Sequence, residues 1–224
     1  MTSTSPGQAV SMTEIEAKYA VSDPETFDRL KTKDRIGRFS VRNGRDHVFH
    51  DRFYDTPDGR LLKAGCYFRV RFEDGKSGLG RTLKINGSVS GSVHRREEMI
   101  ENDDADASPA AIRDPAFAAR LSEIGGGCPA EDFEIILALR QERRFCDITD
   151  GDRLIAILSY DAVFPEDGQA GEMFMETEIE LAGGTEDDLA EIGRSLLAGS
   201  PGLTPVARSK FEKARLLFGG ADDQ

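Results

Sequence analysis

Charged residues recur along this chain at the spacing of β-strands. Glu14, Glu16 and Lys18 alternate with Ile15, Ala17 and Tyr19, and Arg69 and Arg71 alternate with Phe68, Val70 and Phe72. Lys84 lies in RTLKI, Arg96 and Glu98 in HRREEMI, and Glu176, Glu178 and Glu180 alternate with Met175, Thr177, Ile179 and Leu181. A period of two puts each charged set on one face of its strand and the apolar set on the other. On any one strand, such a face is ordinary solvated charge. Taken together, the opposite faces are apolar enough to pack beneath helices. A sheet closed with its apolar face outward would turn the charges inward. Such an interior holds two chemistries. Glu14, Glu16, Glu176 and Glu178 offer oxygen ligands to Mg²⁺ or Mn²⁺, and Lys18, Arg69, Arg71, Lys84 and Arg96 offer donors to phosphate oxygens.

The elements that must carry these residues follow from periodicity and punctuation. Strands are expected over Thr13 to Val21, His47 to Tyr54, Cys66 to Glu73, Arg81 to Ile85, Val93 to Ile100, Phe133 to Asp147, Leu154 to Phe164 and Glu172 to Leu181. Turns are expected at Asp55 to Gly59, Asp74-Gly75, Asn86-Gly87 and Asp150-Gly151. Ser22 to Glu25 reads as a capping box opening a short helix, with Pro24 in its first turn. Ile112 to Ile124 reads as a helix interrupted at Pro115 and stopped by Gly125-Gly126-Gly127, and Glu101 to Ser108 as an acidic connection. Thr185 with Glu186, Asp187 and Asp188 starts another helix, and a last one runs from about Ala207 to Phe218. Many strands joined by short turns, with a few helices between them, indicate an α+β protein on a largely antiparallel sheet.

The chain has 224 residues, 41 acidic against 29 basic, for a formal net charge of −12. That acidity argues against non-specific duplex binding, and no nucleic-acid partner is expected. A polyanionic substrate is compatible with it, because local arrangement sets the sign of a site. No apolar run approaches the roughly 20 residues of a membrane helix, and the N-terminus lacks signal-peptide character. A cytoplasmic protein without a membrane partner is therefore expected, with a polar leader over 1–11, one domain over 12–218 and a tail over 219–224. Cys66, Cys128 and Cys146 fit neither a disulfide framework nor a zinc site. His47, His50 and His94 are read as surface or loop histidines, and Gly75-Lys76-Ser77-Gly78 as a hairpin tip without phosphate-loop spacing.

In this order, the charged residues resemble the CYTH superfamily, the triphosphate tunnel metalloenzymes. Its N-terminal signature stands here as Glu14-Ile15-Glu16-Ala17-Lys18. Tyr54-Asp55-Thr56, Arg69 with Arg71, Thr82 with Lys84, Arg96 with Glu98, a basic strand from Arg140 to Arg144, Asp161, the Glu176-Glu178-Glu180 strand and Ser209-Lys210 follow. The resemblance covers nearly the whole chain. It implies an antiparallel, eight-stranded closed β-barrel forming a tunnel with flanking helices, and hydrolysis or cyclisation of a triphosphate with a divalent metal. By position, Glu14, Glu16, Glu176 and Glu178 look like metal ligands, with Glu98, Asp161 and Glu180 completing the acidic set. Lys18, Arg69, Arg71, Lys84, Arg96 and Lys210 look like triphosphate contacts. In the basic strand Arg143 is the first choice, Arg140 the next and Arg144 the alternative. Lys18, with Glu16 beside it, is placed to orient or deprotonate the attacking water.

The expected substrate is a small triphosphate, inorganic tripolyphosphate first, acted on by a monomer or homodimer. Thiamine triphosphate hydrolysis, adenylyl cyclisation and non-catalytic binding of a phosphorylated ligand stand as alternatives. The chain has no Trp and four Tyr for an aromatic platform under an organic group. It also lacks the His-Phe pair that cyclases of the family tend to carry before the signature, having Val10-Ser11-Met12-Thr13 there instead.

Overall fold

The computed structural model describes residues 8–76, 79–103, 108–166, 168 and 173–218. Most of the expected leader, the tail 219–224, Ser77 and Gly78 of the hairpin tip, residues 104–107 of the acidic connection and Glu172 lie outside the described residues.

The elements run β1 (Val10–Val21), α1 (Pro24–Lys31), β2 (Arg35–Ile36), β3 (Phe39–Asp55), α2 (Arg60–Lys63), β4 (Tyr67–Glu73), β5 (Leu79–Ser90), β6 (Val93–Asp103), α3 (Pro115–Ile124), β7 (Glu134–Asp150), β8 (Arg153–Pro165), β9 (Phe174–Leu181), α4 (Glu186–Ala198), β10 (Leu203–Pro205) and α5 (Lys210–Phe218). Hydrogen bonding orders the strands β10-β1-β6-β5-β4-β3-β7-β8-β9, and β9 pairs back onto β1. Eight strands therefore form an antiparallel ring, as expected from the resemblance, with β10 on β1 and β2 on β3 as additions. No helix among the described residues is long and apolar enough to cross a membrane.

The chain divides into two compact units. One holds the described residues up to Thr13, Phe49–Gly87 and Arg96–Arg140; the other holds Glu14–Val48, Ser88–Arg95 and the chain from Gln141 onward. In the second unit Ala17, Tyr19 and Val21 of β1, Leu158 and Tyr160 of β8, and Met175 and Ile179 of β9 share a core with Leu30 of α1 and Leu189, Ile192 and Leu196 of α4. In the first unit Phe68 and Val70 of β4 and Leu83 of β5 share a core with Leu61 of α2 and Phe117 and Leu121 of α3. In both, the apolar alternation seen in sequence is the face that helices cover, which leaves the charged alternation on the other face.

Local chemistry sets the boundaries. The α1 cap is Asp23 and not Ser22: its carboxylate accepts from the Thr26 amide at 2.7 Å, and Pro24 takes the first helical position, where a missing N–H costs nothing. Pro115 does not interrupt a helix. It starts α3 for the same reason, behind Asp114, whose carboxylate accepts from the Ala116 and Phe117 amides at 2.8 and 2.9 Å. Thr185 and Asp188 form the capping box of α4. Asn86-Gly87 is not a turn: β5 continues to Ser90, and the chain reverses at Gly91, whose φ of +61° supplies the left-handed conformation. After β3 the turn leads into α2. There the buried Asp55 carboxylate accepts from the amides of Thr56, Leu61 and Leu62 at 2.7, 2.9 and 3.0 Å. Asp55 thus serves as the anchor of a helix start.

Candidate active site

The second unit gathers the acidic face of β9 with charges from its neighbours. The β1–β9 ladder sets Lys18 opposite Glu178 and Glu16 opposite Glu180, and the β8–β9 ladder sets Asp161 opposite Glu176. Glu14, Glu16, Lys18, Asp161, Glu176 and Glu178 are all buried. Lys18 Nζ lies 2.9 Å from Glu16 and hydrogen-bonds Glu178. Arg143, from β7, hydrogen-bonds Asp161 through Nε and Nη2 and reaches Glu178 at 2.8 Å. Lys210, at the start of α5, places Nζ 2.7 Å from Asp161, 3.2 Å from Glu176 and 3.4 Å from Glu178. Its position follows from the Ser209–Glu212 cap, in which Glu212 accepts from the Ser209 amide at 2.7 Å and fixes the first turn of α5.

Burial penalises every charge in this cluster, and its partners decide which ones survive. Burial alone would lower the Lys18 pKa, but Glu16, Glu178, Glu176 and Glu14 outweigh it and hold the ammonium well above the usual lysine range. Glu178 is likewise resisted by burial, yet Lys18, Lys210 and Arg143 together keep its carboxyl well below the ordinary range. Glu176 goes the other way. Burial and the neighbouring Glu178 push it up to about 7 against the pull of Lys210 and Lys18.

The first unit holds a second charged face. The buried Asp51 carboxylate of β3, opposite Arg71 in the ladder, accepts from Arg71 Nε at 2.6 Å and Nη2 at 2.7 Å. Arg69 Nη1 lies 3.7 Å from the same carboxylate, and its Nη2 donates to Thr82 at 3.2 Å. Lys84 Nζ is 3.6 Å from Glu98, and the Arg96 guanidinium stands 5.5 Å from the centre of the Tyr67 ring. Arg140 is half-buried in this unit. Arg144 goes elsewhere, to a surface pair with Asp46 at 2.7 Å in the second unit. The structure thus brings Glu14, Glu16, Lys18, Arg143, Asp161, Glu176, Glu178 and Lys210 into one unit, and Arg69, Arg71, Lys84, Arg96, Glu98 and Arg140 into the other.

Among the described residues, Asp161, Glu176 and Glu178 each offer a carboxylate oxygen, all within 4.8 Å of one another. Glu176 Oε1 is buried and receives no aligned hydrogen bond, although Lys210 Nζ is near it. A buried carboxylate oxygen left over in a group of hard oxygen donors fits a divalent cation such as Mg²⁺ or Mn²⁺. Sequence reasoning missed two residues on these faces. Asp51 was signalled as a lone carboxylate on the Phe49–Phe53 face of its strand. Lys213 sits three residues beyond Lys210 on α5, with its Nζ 4.1 Å from the centre of the Phe174 ring.

The CYTH domain model matches residues 12–214. A candidate adenylyl cyclase from Hippeastrum, described with a dominant triphosphatase activity, superposes with a TM-score of 0.71 at 23% identity, covering 91% of this chain and 95% of that one. An adenylate cyclase candidate from Bacillus halodurans gives 0.63 at 18%, covering 90% and 97%. A Pyrococcus horikoshii protein gives 0.54 at 17%, covering 88% and 97%. A search of curated proteins returns no match. With the signature residues in order, the eight-stranded ring and a family match over most of its length, the chain belongs to the CYTH domain family.

Proposed function

We propose that this protein is a divalent-metal-dependent triphosphatase that releases the terminal phosphate of a small triphosphate, inorganic tripolyphosphate first. The observation that carries the reading is the buried group of Asp161, Glu176 and Glu178 interleaved with Lys18, Arg143 and Lys210. Acids alone would suit any cation; acids alternating with fixed basic donors suit a cation bound together with a phosphate chain. The dominant triphosphatase activity described for the Hippeastrum protein supports the same chemistry.

Asp161, Glu176 and Glu178, with Glu14 and Glu16, would hold Mg²⁺ or Mn²⁺, and Glu98 is the further acidic candidate. The metal, when bound, neutralises phosphate oxygens and acidifies a water. Arg143 and Lys210 take non-bridging oxygens; Arg69, Arg71, Lys84 and Arg96 are further phosphate contacts, with Arg140 as a reserve. Asp51 positions the Arg71 fork. Lys18, kept protonated by its carboxylate neighbours, donates to the phosphoryl oxygen, and Glu16 accepts the proton of the attacking water. The water oxygen bonds to the terminal phosphorus, the bridging P–O bond breaks, and orthophosphate and diphosphate leave.

The test is a panel of tripolyphosphate, thiamine triphosphate and ATP, each with Mg²⁺ and Mn²⁺ and with product analysis. Tripolyphosphate is expected to give the highest kcat/KM, with phosphate as the product. Cyclic nucleotide formation, or a higher kcat/KM for an organic triphosphate, would overturn the substrate assignment.

A further inference from the structure

Two rows run along the charged side of the second unit. On β9, Phe174, Glu176 and Glu178 share one face, while Met175 and Ile179 join the core under α4 on the other. On α5, Lys210 and Lys213 are three apart and so lie on one side of the helix. The rows match: Lys210 Nζ sits within 3.4 Å of Glu176 and Glu178, and Lys213 Nζ sits over Phe174. Phe174 in turn stacks on Phe218, with ring centres 5.9 Å apart.

Lys213 differs from Lys210 in forming no ion pair among the described residues. Among the described residues its ammonium makes no hydrogen bond or salt bridge, though it is half-buried. Burial pulls its pKa below the ordinary lysine value, and Glu176 is too weak an influence to restore it against nearby Lys210. A partly desolvated cation with an aromatic face beneath it and no carboxylate within ion-pair distance among the described residues is poised for an anionic ligand. Its place in the row is also informative. Lys18 stands opposite Glu178, and Phe174 lies four residues, about 13 Å, further along the strand. Lys213 therefore marks the end of the row away from Lys18.

We propose that Lys213 is a substrate-selecting residue, whose ammonium takes the phosphoryl group at the end of the chain remote from Lys18 and favours a free terminal phosphate there over an esterified one. This rests on the triphosphatase reading above. A free terminal phosphate carries about 1.5 to 2 charges near neutral pH, whereas a phosphate esterified within a nucleotide chain carries about one, so a well-placed cation favours the former.

The experiment compares the full chain with Lys213→Gln and Lys213→Arg, using tripolyphosphate and ATP. Binding is measured by calorimetry without added metal, and kcat/KM with Mn²⁺, alongside thermal melting. Glutamine removes the ammonium over Phe174 and leaves a shorter, uncharged polar side chain, whereas arginine keeps the charge. The glutamine variant is expected to cut tripolyphosphate affinity and kcat/KM about tenfold or more, with a much smaller change for ATP, while arginine retains the preference. Equal losses for both ligands, no loss for either, or a wild type that binds both equally or neither would overturn the assignment. A wild type that binds tripolyphosphate over ATP but hydrolyses nothing would sink the triphosphatase reading instead, and the binding ratio in Lys213→Gln would still decide the role of Lys213.

Discussion

Glu176 and Glu178 are neighbours on one strand face with opposite electrostatics, and this predicts opposite responses to the same change. Glu176 is raised from 4.5 to about 7 by burial and by Glu178. Its contribution to stability is fully present below about 4.5 and is lost as pH rises through about 7, because the unfolded chain then ionises the group more readily than the fold does. Glu178 is depressed, since three cations outweigh its burial, and its contribution is present above the ordinary carboxylate range and lost as pH falls below it. Thermal melting in chelator from pH 4.5 to 7.5 should show Glu176→Gln flattening the decline toward neutral pH with little loss of stability. Glu178→Gln should instead destabilise by about 2 kcal/mol or more at neutral pH, because it takes one of the carboxylate partners from each of the buried cations Lys18, Arg143 and Lys210. Similar behaviour of the two variants would contradict this division of roles.

At the scale of elements, the charge-bearing faces were legible because strand period alone assigns them, whereas the partners were not. Asp51 meets Arg71 only because β3 and β4 pair in one register, and Lys213 meets Phe174 only because α5 lies beside β9. Strand ends were hidden where alternation fails. The β3 segment Arg42 to Asp46 is exposed throughout and is tied down by side-chain bonds such as Asn43 and Arg45 to Asp147, at 2.7 and 2.9 Å. The pairs β2 and β10, of two and three residues, are too short to show a period. The family segment at Tyr54-Asp55-Thr56 illustrates a motif residue whose work is architectural. Asp55→Ala removes the acceptor for three amides and is expected to cost about 2 kcal/mol or more in denaturant unfolding. At temperatures where the variant is folded, its KM for tripolyphosphate should stay near that of the wild type. A large KM change without loss of stability would show that Asp55 works on the ligand.

For the molecule as a whole, the eight-stranded ring came from the resemblance and not from periodicity, since strand order depends on pairings between residues far apart in the chain. Composition set useful bounds: a net charge of −12 coexists with a basic face and with a buried acid cluster laced by cations, so it describes the surface average and not the site. The central claim is that Asp161, Glu176 and Glu178 serve metal-dependent hydrolysis of a triphosphate. Phosphate release from tripolyphosphate by the wild type and Glu176→Gln, each with Mn²⁺ and with chelator, tests it most directly. Turnover should require the metal and fall roughly a hundredfold or more in a Glu176→Gln variant that melts like the wild type. Turnover that persists in chelator, or near-normal activity in that variant, would contradict it.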